Sequence, residues 1–361
     1  MIFHRCVTSI LLLGSLLLCL SVGALPGQAA DAPALPAPID MTTQPLIWNS
    51  DKRGDIAAGL MTFAGGIEIS SGDKRFGGWS GLAISRDGGS LVAVSDEGRW
   101  LSAKLLYDEK NRLSGLAQAI IAPMLDSRGE ALEGKHLADA EGLAISGADI
   151  TKGLAYVSFE RAHRIWRYDL SQGGFTARPE QLLTQREFGR LASNSGIEAL
   201  EVLHPTPTVA KPRLLAITED SRDPRGNLIG FIANGKKIIR FAVKPDEPYK
   251  PTDMARLPDG DVLLLERRYS PLAGVGMKVV LLRGSDFRPG AVIKGTALAE
   301  ISQRYAIDNM EGMAVRRDDR GTIWLYMISD DNFSPLQRTL LLMFKLDPKT
   351  LKPRHSPAGA E

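Results

Sequence analysis

The sequence predicts an all-β protein: a β-propeller of five visible repeats, with five or six blades of four antiparallel strands. Three observations predict it. Five related segments start near residues 80, 141, 197, 252 and 311, which spaces them 55 to 61 residues apart. Each holds short apolar runs bounded by turn residues and no long helical periodicity. The last segment shows one strand fewer than the others, and a strand-like stretch precedes the first. Such a period, with about four strands per unit, fits a propeller blade better than a sandwich.

The first thirty residues stand apart. Arg5 is their only charged residue, an apolar run extends from Ile10 to Leu20, and small residues follow at Val22-Gly23-Ala24 and Gln28-Ala29-Ala30. That is the layout of a signal peptide over residues 1–30, cleaved after Ala24 or Ala30. The apolar run from Val7 to Ala24 is near the lower limit for crossing a bilayer, so an uncleaved anchor is the alternative. Leu18 stands where a lipoprotein would have a small residue before Cys19, which argues against lipidation. Residues 31–60 read as a Pro/Ala-rich lead-in, 61–350 as the propeller and 351–361 as a tail. Both cysteines, Cys6 and Cys19, fall in the leader, so the exported chain holds no disulfide and depends on its core. Without Arg5 the net charge falls from +2 to +1, which offers nothing to nucleic acid or a strongly anionic surface. The expectation is a periplasmic or secreted monomer that acts on a small molecule, without nucleic acid and without a membrane after cleavage.

Within each repeat the order is constant. "WSGLAIS" (Trp79–Ser85) precedes "LVAVSDEG" (Leu91–Gly98), and "AEGLAIS" (Ala140–Ser146) precedes "LAYVSFER" (Leu154–Arg161). "GIEALEVL" (Gly196–Leu203) precedes "LLAITED" (Leu214–Asp220), and "PTDMARLP" (Pro251–Pro258) precedes "VLLLERR" (Val262–Arg268). "EGMAVRR" (Glu311–Arg317) precedes "IWLYMISDD" (Ile323–Asp331). Further strands are expected at Ile165–Leu170, Ile238–Val243, Lys278–Gly284 and Leu340–Leu346. Thr62–Ser70 would complete the last unit by pairing beside Leu340–Leu346, which removes an open edge.

In an antiparallel hairpin the start of the first strand and the end of the second lie at the same end. Acids collect there. First-strand starts carry Ser80, Asp139, Glu141, Glu198, Asp253, Asn309 and Glu311; second-strand ends carry Asp96, Glu97, Glu160, Glu219, Asp220, Glu266, Asp330 and Asp331, with Arg161 and Arg267. Gly81, Gly142 and Gly312 suit backbones that crowd near an axis. Any one of these acids is more often a turn former or a partner of arginine. Many around one mouth, however, repel each other unless a cation offsets them, and hard oxygen ligands favour Ca²⁺ or Mg²⁺.

Other chemistry is sparse. The histidines beyond the leader, His136, His163, His204 and His355, show no zinc spacing. His163 is either a packed turn residue or a rim acid/base. Ser80 has no assignable base, and there is no G-x-S-x-G elbow, phosphate loop or dinucleotide fingerprint.

The segments "GGWSGLAIS", "DAEGLAI", "SNSGIEAL", "LERRYSP" and "NMEGMAV…LYMISDDNFSPLQRTLLLMF" together resemble the phytase-like family of bacterial exported proteins, over about Gly78 to Leu346. The resemblance implies a propeller related to calcium-dependent phytases, with esterase-type activity at an acidic mouth. The matching acids are Glu141, Glu160, Glu198, Glu219, Glu266, Glu311 and Asp330. The expected activity is calcium-dependent hydrolysis of a phosphomonoester. Glu141, Glu198, Glu219, Glu266, Glu311 and Asp330 would hold Ca²⁺. Glu141, Glu160, Glu311, Arg161 and Arg267 would act on substrate, the arginines by holding phosphate. A carboxyl ester or lactone hydrolase, with Trp79, Trp100 and Phe333 near its mouth, is one alternative; a non-enzymatic ligand-binding propeller is another.

Overall fold

The computed structural model of the protein describes residues 35–204 and 211–351. The leader with its two cleavage positions and all but the first residue of the tail lie outside the described residues. Among these, no helix is long and apolar enough to cross a membrane.

The protein is all-β, built from curled antiparallel sheets, an arrangement consistent with a β-propeller. The first sheet pairs Trp79–Ile84, Ser90–Ser95, Arg99–Tyr107 and Leu113–Pro123 in that order. The second pairs Ala140–Ser146, Leu154–Phe159, Arg164–Asp169 and Pro179–Thr184. The third pairs Ile197–Leu203, Arg213–Arg222, Leu228–Asn234 and Lys237–Val243, with Val292–Ile293 added in parallel. The fourth pairs Lys250–Arg256, Val262–Ser270, Gly274–Leu282 and Thr296–Ser302. The fifth pairs Asn309–Arg317, Ile323–Asp330 and Thr339–Leu346, its fourth strand is Met61–Ser70, and through that strand it joins the first sheet at one parallel bridge, Gly65 to Leu113. The pairing expected between Thr62–Ser70 and Leu340–Leu346 is therefore present.

Alternation of side chains explains how the sheets stack. Along Ser90–Ser95, Leu91 and Ala93 pack toward the fifth sheet, while Val92 and Val94 pack toward the second. Each consecutive pair of sheets encloses its own apolar cluster, and a further cluster lies between the fifth and the first. Because both faces are covered, the strands read as continuous apolar runs. The five first strands also pack against one another in succession, with Asn309–Arg317 against Trp79–Ile84.

That packing is close enough to require glycine. A Cβ on Gly142 would lie 2.3 Å from the Glu198 carbonyl oxygen, and one on Gly312 would lie 2.7 Å from that of Ser80. The glycine of the recurring E-G pair thus serves the fold, by letting one first strand approach the next. The glutamate before it serves something else.

Candidate acidic site

All five first strands carry the same irregularity. Pairing with the second strand skips one residue, at Ser80, within Glu141-Gly142, at Glu198, at Thr252 and at Glu311. A bulge of this kind leaves one residue unpaired and re-aims its side chain. Three of the five positions are glutamates, and all three point into one cluster.

Glu198 lies at its centre. Carboxylate oxygens of Glu160, Glu198 and Glu219 fall within 4.8 Å of one another, as do those of Asp139, Glu141 and Glu160. Glu160 belongs to both groups. Its Oε1 accepts the Gly196 N–H at 2.8 Å. Glu311 adjoins them: its Oε1 accepts from Asn309 Nδ2 at 2.8 Å and sits 2.8 Å from Arg267 Nε. The same guanidinium reaches Glu219 at 3.6 Å. At the other side, Arg161 Nε donates to Asp139 at 2.8 Å, and Lys135 bridges Asp139 and Asp96.

Charge is unevenly matched across the cluster. Arg161 and Lys135 serve Asp139 and Asp96, while Arg267 serves Glu311 and Glu219. Glu198 is 7% exposed; among the described residues nothing donates to it, and Arg267 acts on it only from beyond ion-pair distance. Burial, then the charge of Glu219, holds its carboxyl well above the ordinary range. Burial and then Glu198 do the same to Glu141. Burial pushes Glu160 up to about 7 against the pull of the Gly196 N–H. Asp330 is pushed up to about 8 by burial and by Glu311. Burial raises Glu311 as well, opposed by Arg267. The set is not fully ionised at neutral pH unless a cation joins it. Three oxygens at this separation, one on an unpartnered buried carboxylate, fit a hard divalent ion such as Ca²⁺.

Several expectations need correcting. Glu266 does not join the cluster. It neighbours Arg267 along a strand whose side chains alternate, and Arg267 faces the acids. Glu266 lies instead with Lys278 and Asp246, and its carboxyl is raised to about 7 by burial and then by Asp246. Asp253 is not on the mouth either. Fully buried one residue beyond the bulge, it accepts N–H groups from Met254 at 2.8 Å and Met313 at 2.7 Å. Asp330 and Glu311 neighbour the two metal-spaced groups but belong to neither. Trp79 and Trp100 are wholly buried in the core, so of the three aromatics expected at the mouth only Phe333 is exposed. His163 is the packed turn residue: it is buried, its Nε2 lies 2.9 Å from the Ala192 carbonyl, and burial lowers its pKa. Sequence reasoning missed Lys135, which lies between repeats and carries no periodic signal. It also missed Lys250, 3.1 Å from Asp220 just before the fourth repeat.

A family model described as "Phytase-like: Esterase-like activity of phytase" matches residues 74–333. No curated protein matches the chain. Among solved structures, that of U3-55K is similar at 10% identity, covering 75% of this chain and 96% of that one, with a TM-score of 0.36. A glucose dehydrogenase is similar at 12% identity, covering 74% and 96%, with a TM-score of 0.33. At these scores neither likeness carries an argument.

Proposed function

The chain belongs to the phytase-like family, and from that premise we propose that it is an exported, calcium-dependent phosphomonoester hydrolase. In this reading the five sheets are the blades of a closed five-bladed propeller, with Met61–Ser70 as the closing strand, and the acidic cluster is its working mouth. The observation that carries the proposal is Glu198, a buried carboxylate between Glu160 and Glu219 with no donor among the described residues. Such a carboxylate is relieved either by holding a proton, as its raised pKa allows, or by ligating a cation, which the close Glu160 and Glu219 oxygens favour.

Glu160, Glu198 and Glu219 would hold the ion, with Glu141 on the second group that shares Glu160. A cation there would supply polarisation of a phosphoryl oxygen and a lowered pKa for a water. The protein supplies the rest. Arg267, paired with Glu311, offers its remaining N–H groups to the phosphate, and Arg161, anchored on Asp139 through Nε, offers its own from the other side. Asp330 retains a proton to about pH 8 and is the donor to the leaving oxygen. The water oxygen bonds to phosphorus as the ester P–O bond breaks. The leaving oxygen takes the proton of Asp330, and the water's proton returns to the carboxylates, which gives alcohol and phosphate. The leader-like first thirty residues support export, and the near-neutral charge favours a small-molecule substrate over nucleic acid.

The test is hydrolysis of p-nitrophenyl phosphate at pH 7 with millimolar Ca²⁺, with EGTA, and with Glu198→Gln. Activity should appear only with Ca²⁺ and fall at least a hundredfold in the variant. Absence of phosphate release from any monoester in the presence of Ca²⁺ would reject the reading.

A further inference from the structure

The oxygens grouped around Glu198 come from two sheets. Glu160 follows the second strand of the second sheet, and Glu219 lies in the second strand of the third. The connection Gly189–Gly196 runs between these sheets, and its last residue ties the two acids together. The Gly196 N–H donates to Glu160 Oε1 at 2.8 Å, and the Gly196 carbonyl accepts the Glu219 N–H at 2.9 Å. Contact requires a glycine there: a Cβ would lie 2.7 Å from His163 Nδ1 and 2.9 Å from Glu160 Cγ.

Two side chains hold the rest of the connection, one from each sheet. From the third sheet, Ser221 Oγ donates to the Ser195 carbonyl at 2.7 Å and accepts the Ala192 N–H at 2.9 Å. From the second, His163 Nε2 lies 2.9 Å from the Ala192 carbonyl; a carbonyl only accepts, so this nitrogen carries the proton. Both side chains are buried, which keeps these bonds out of water. Ser221 and Glu219 also share a stretch that leaves the sheet. Pairing of Arg213–Arg222 with Leu228–Asn234 breaks between Ile217 and Arg222, and the Thr218 hydroxyl donates to the Ser221 carbonyl at 2.8 Å. Ser221 thus joins the connection to the strand end that carries Glu219. Buried hydroxyls commonly satisfy loop backbone. What distinguishes this set is where the loop leads: its last residue bonds to both acids.

We propose that Ser221 and His163 are positioning residues. Through the Gly189–Gly196 connection they set the separation of Glu160 and Glu219, and so make the site select a divalent cation by size. Ca²⁺ takes oxygens at about 2.3–2.6 Å in a flexible geometry, whereas Mg²⁺ demands about 2.0–2.1 Å in a near-ideal octahedron. Carboxylates tied from two sheets keep their spacing and do not close around the smaller ion. This inference rests on the reading of the cluster as a cation site, and on no step of the hydrolysis.

The test is calorimetric titration of Ca²⁺ and of Mg²⁺ into metal-free protein at pH 7, for the native chain, Ser221→Ala and Gly196→Ala. Ser221→Ala frees the connection, and Gly196→Ala pushes on Glu160 with the connection still bonded. Either variant suffices should the other not fold, and melting temperatures verify the fold. The native protein should bind Ca²⁺ more tightly than Mg²⁺. In each variant Ca²⁺ affinity should fall about tenfold, as for other partners that orient metal ligands, while Mg²⁺ affinity holds or rises. The Ca²⁺-to-Mg²⁺ ratio therefore falls by about the same factor. A role confined to folding would lower the melting temperature and leave that ratio at its native value. An unchanged ratio in Ser221→Ala, or equal affinities for the two ions in the native protein, overturns the positioning role and spares the cation site. Absence of Ca²⁺ binding to the native protein overturns the cation site, and this inference with it.

Discussion

Glu198 and Asp253 sit on neighbouring first strands, one residue apart in the repeat frame, and both are buried. Their surroundings differ in kind. Asp253 follows the bulge and accepts two backbone N–H groups, one of them across the boundary between the fourth and fifth sheets. Glu198 is the bulge residue, and among the described residues nothing donates to it. A buried acid with its donors in place ties the fold together, whereas one without them is poised for a ligand. The neighbour of Glu198 in the cluster, Glu311, is intermediate: Arg267 and Asn309 satisfy one oxygen and leave the other.

The largest expected effect breaks the structural side of this comparison. Asp253→Ala should cost about 3 kcal/mol, because two buried N–H groups lose their acceptor. Denaturant unfolding should show the loss, and Asp253→Asn should recover part of it. Slightly smaller is the ligand side. Free Ca²⁺ at a hundred times its dissociation constant should stabilise the protein by about 2.7 kcal/mol, and EGTA should lower the melting temperature by several degrees.

A pH scan sharpens the same contrast. Glu160 is raised from an ordinary 4.5 to about 7, and Asp330 from 3.8 to about 8. The folded protein therefore binds these protons more tightly than the unfolded chain does. Their contribution is complete below about pH 4 and is lost as pH rises through 7 and 8. In EGTA the melting temperature should fall between pH 5 and pH 8, and saturating Ca²⁺ should remove the share of Glu160 from the slope, leaving that of Asp330 and of Glu266, which is raised to about 7 outside the cluster. A slope indifferent to Ca²⁺ would separate the protons from the cation. The smallest effect belongs to Glu266. Glu266→Gln should leave the Ca²⁺ response intact and remove its own share of the cation-independent pH slope, since Glu266 keeps company with Lys278 and Asp246 rather than with the cluster.

Much of this was legible in the sequence. The repeat spacing and the missing strand of the last unit point to Met61–Ser70 as its completion. The E-G pairs mark where first strands crowd together, and Glu141, Glu198, Glu311, Glu160 and Glu219 do converge. What was not legible has a common cause. A one-residue bulge reverses the alternation of side chains, so residues side by side in the sequence part company. Thus "PTDMA" offered Asp253 as a rim acid, although the bulge falls on Thr252. "LERRY" offered both Glu266 and Arg267, although a strand sends neighbours to opposite faces. Lys135 comes from a connection between repeats, and Lys250 and the Gly196 N–H from the first residue of a repeat's opening strand or segment, where no period predicts which group will reach the cluster.

The central claim is that the carboxylates around Glu198 bind a divalent cation. Calorimetric titration of Ca²⁺ into EGTA-dialysed, buffer-exchanged protein at pH 7 tests it most directly, with Glu198→Gln and Glu266→Gln measured in parallel. The account predicts saturable binding to the native protein and to Glu266→Gln, proton release on binding, and loss of that binding in Glu198→Gln. Absence of binding to the native protein, or binding of equal strength in Glu198→Gln, would contradict it.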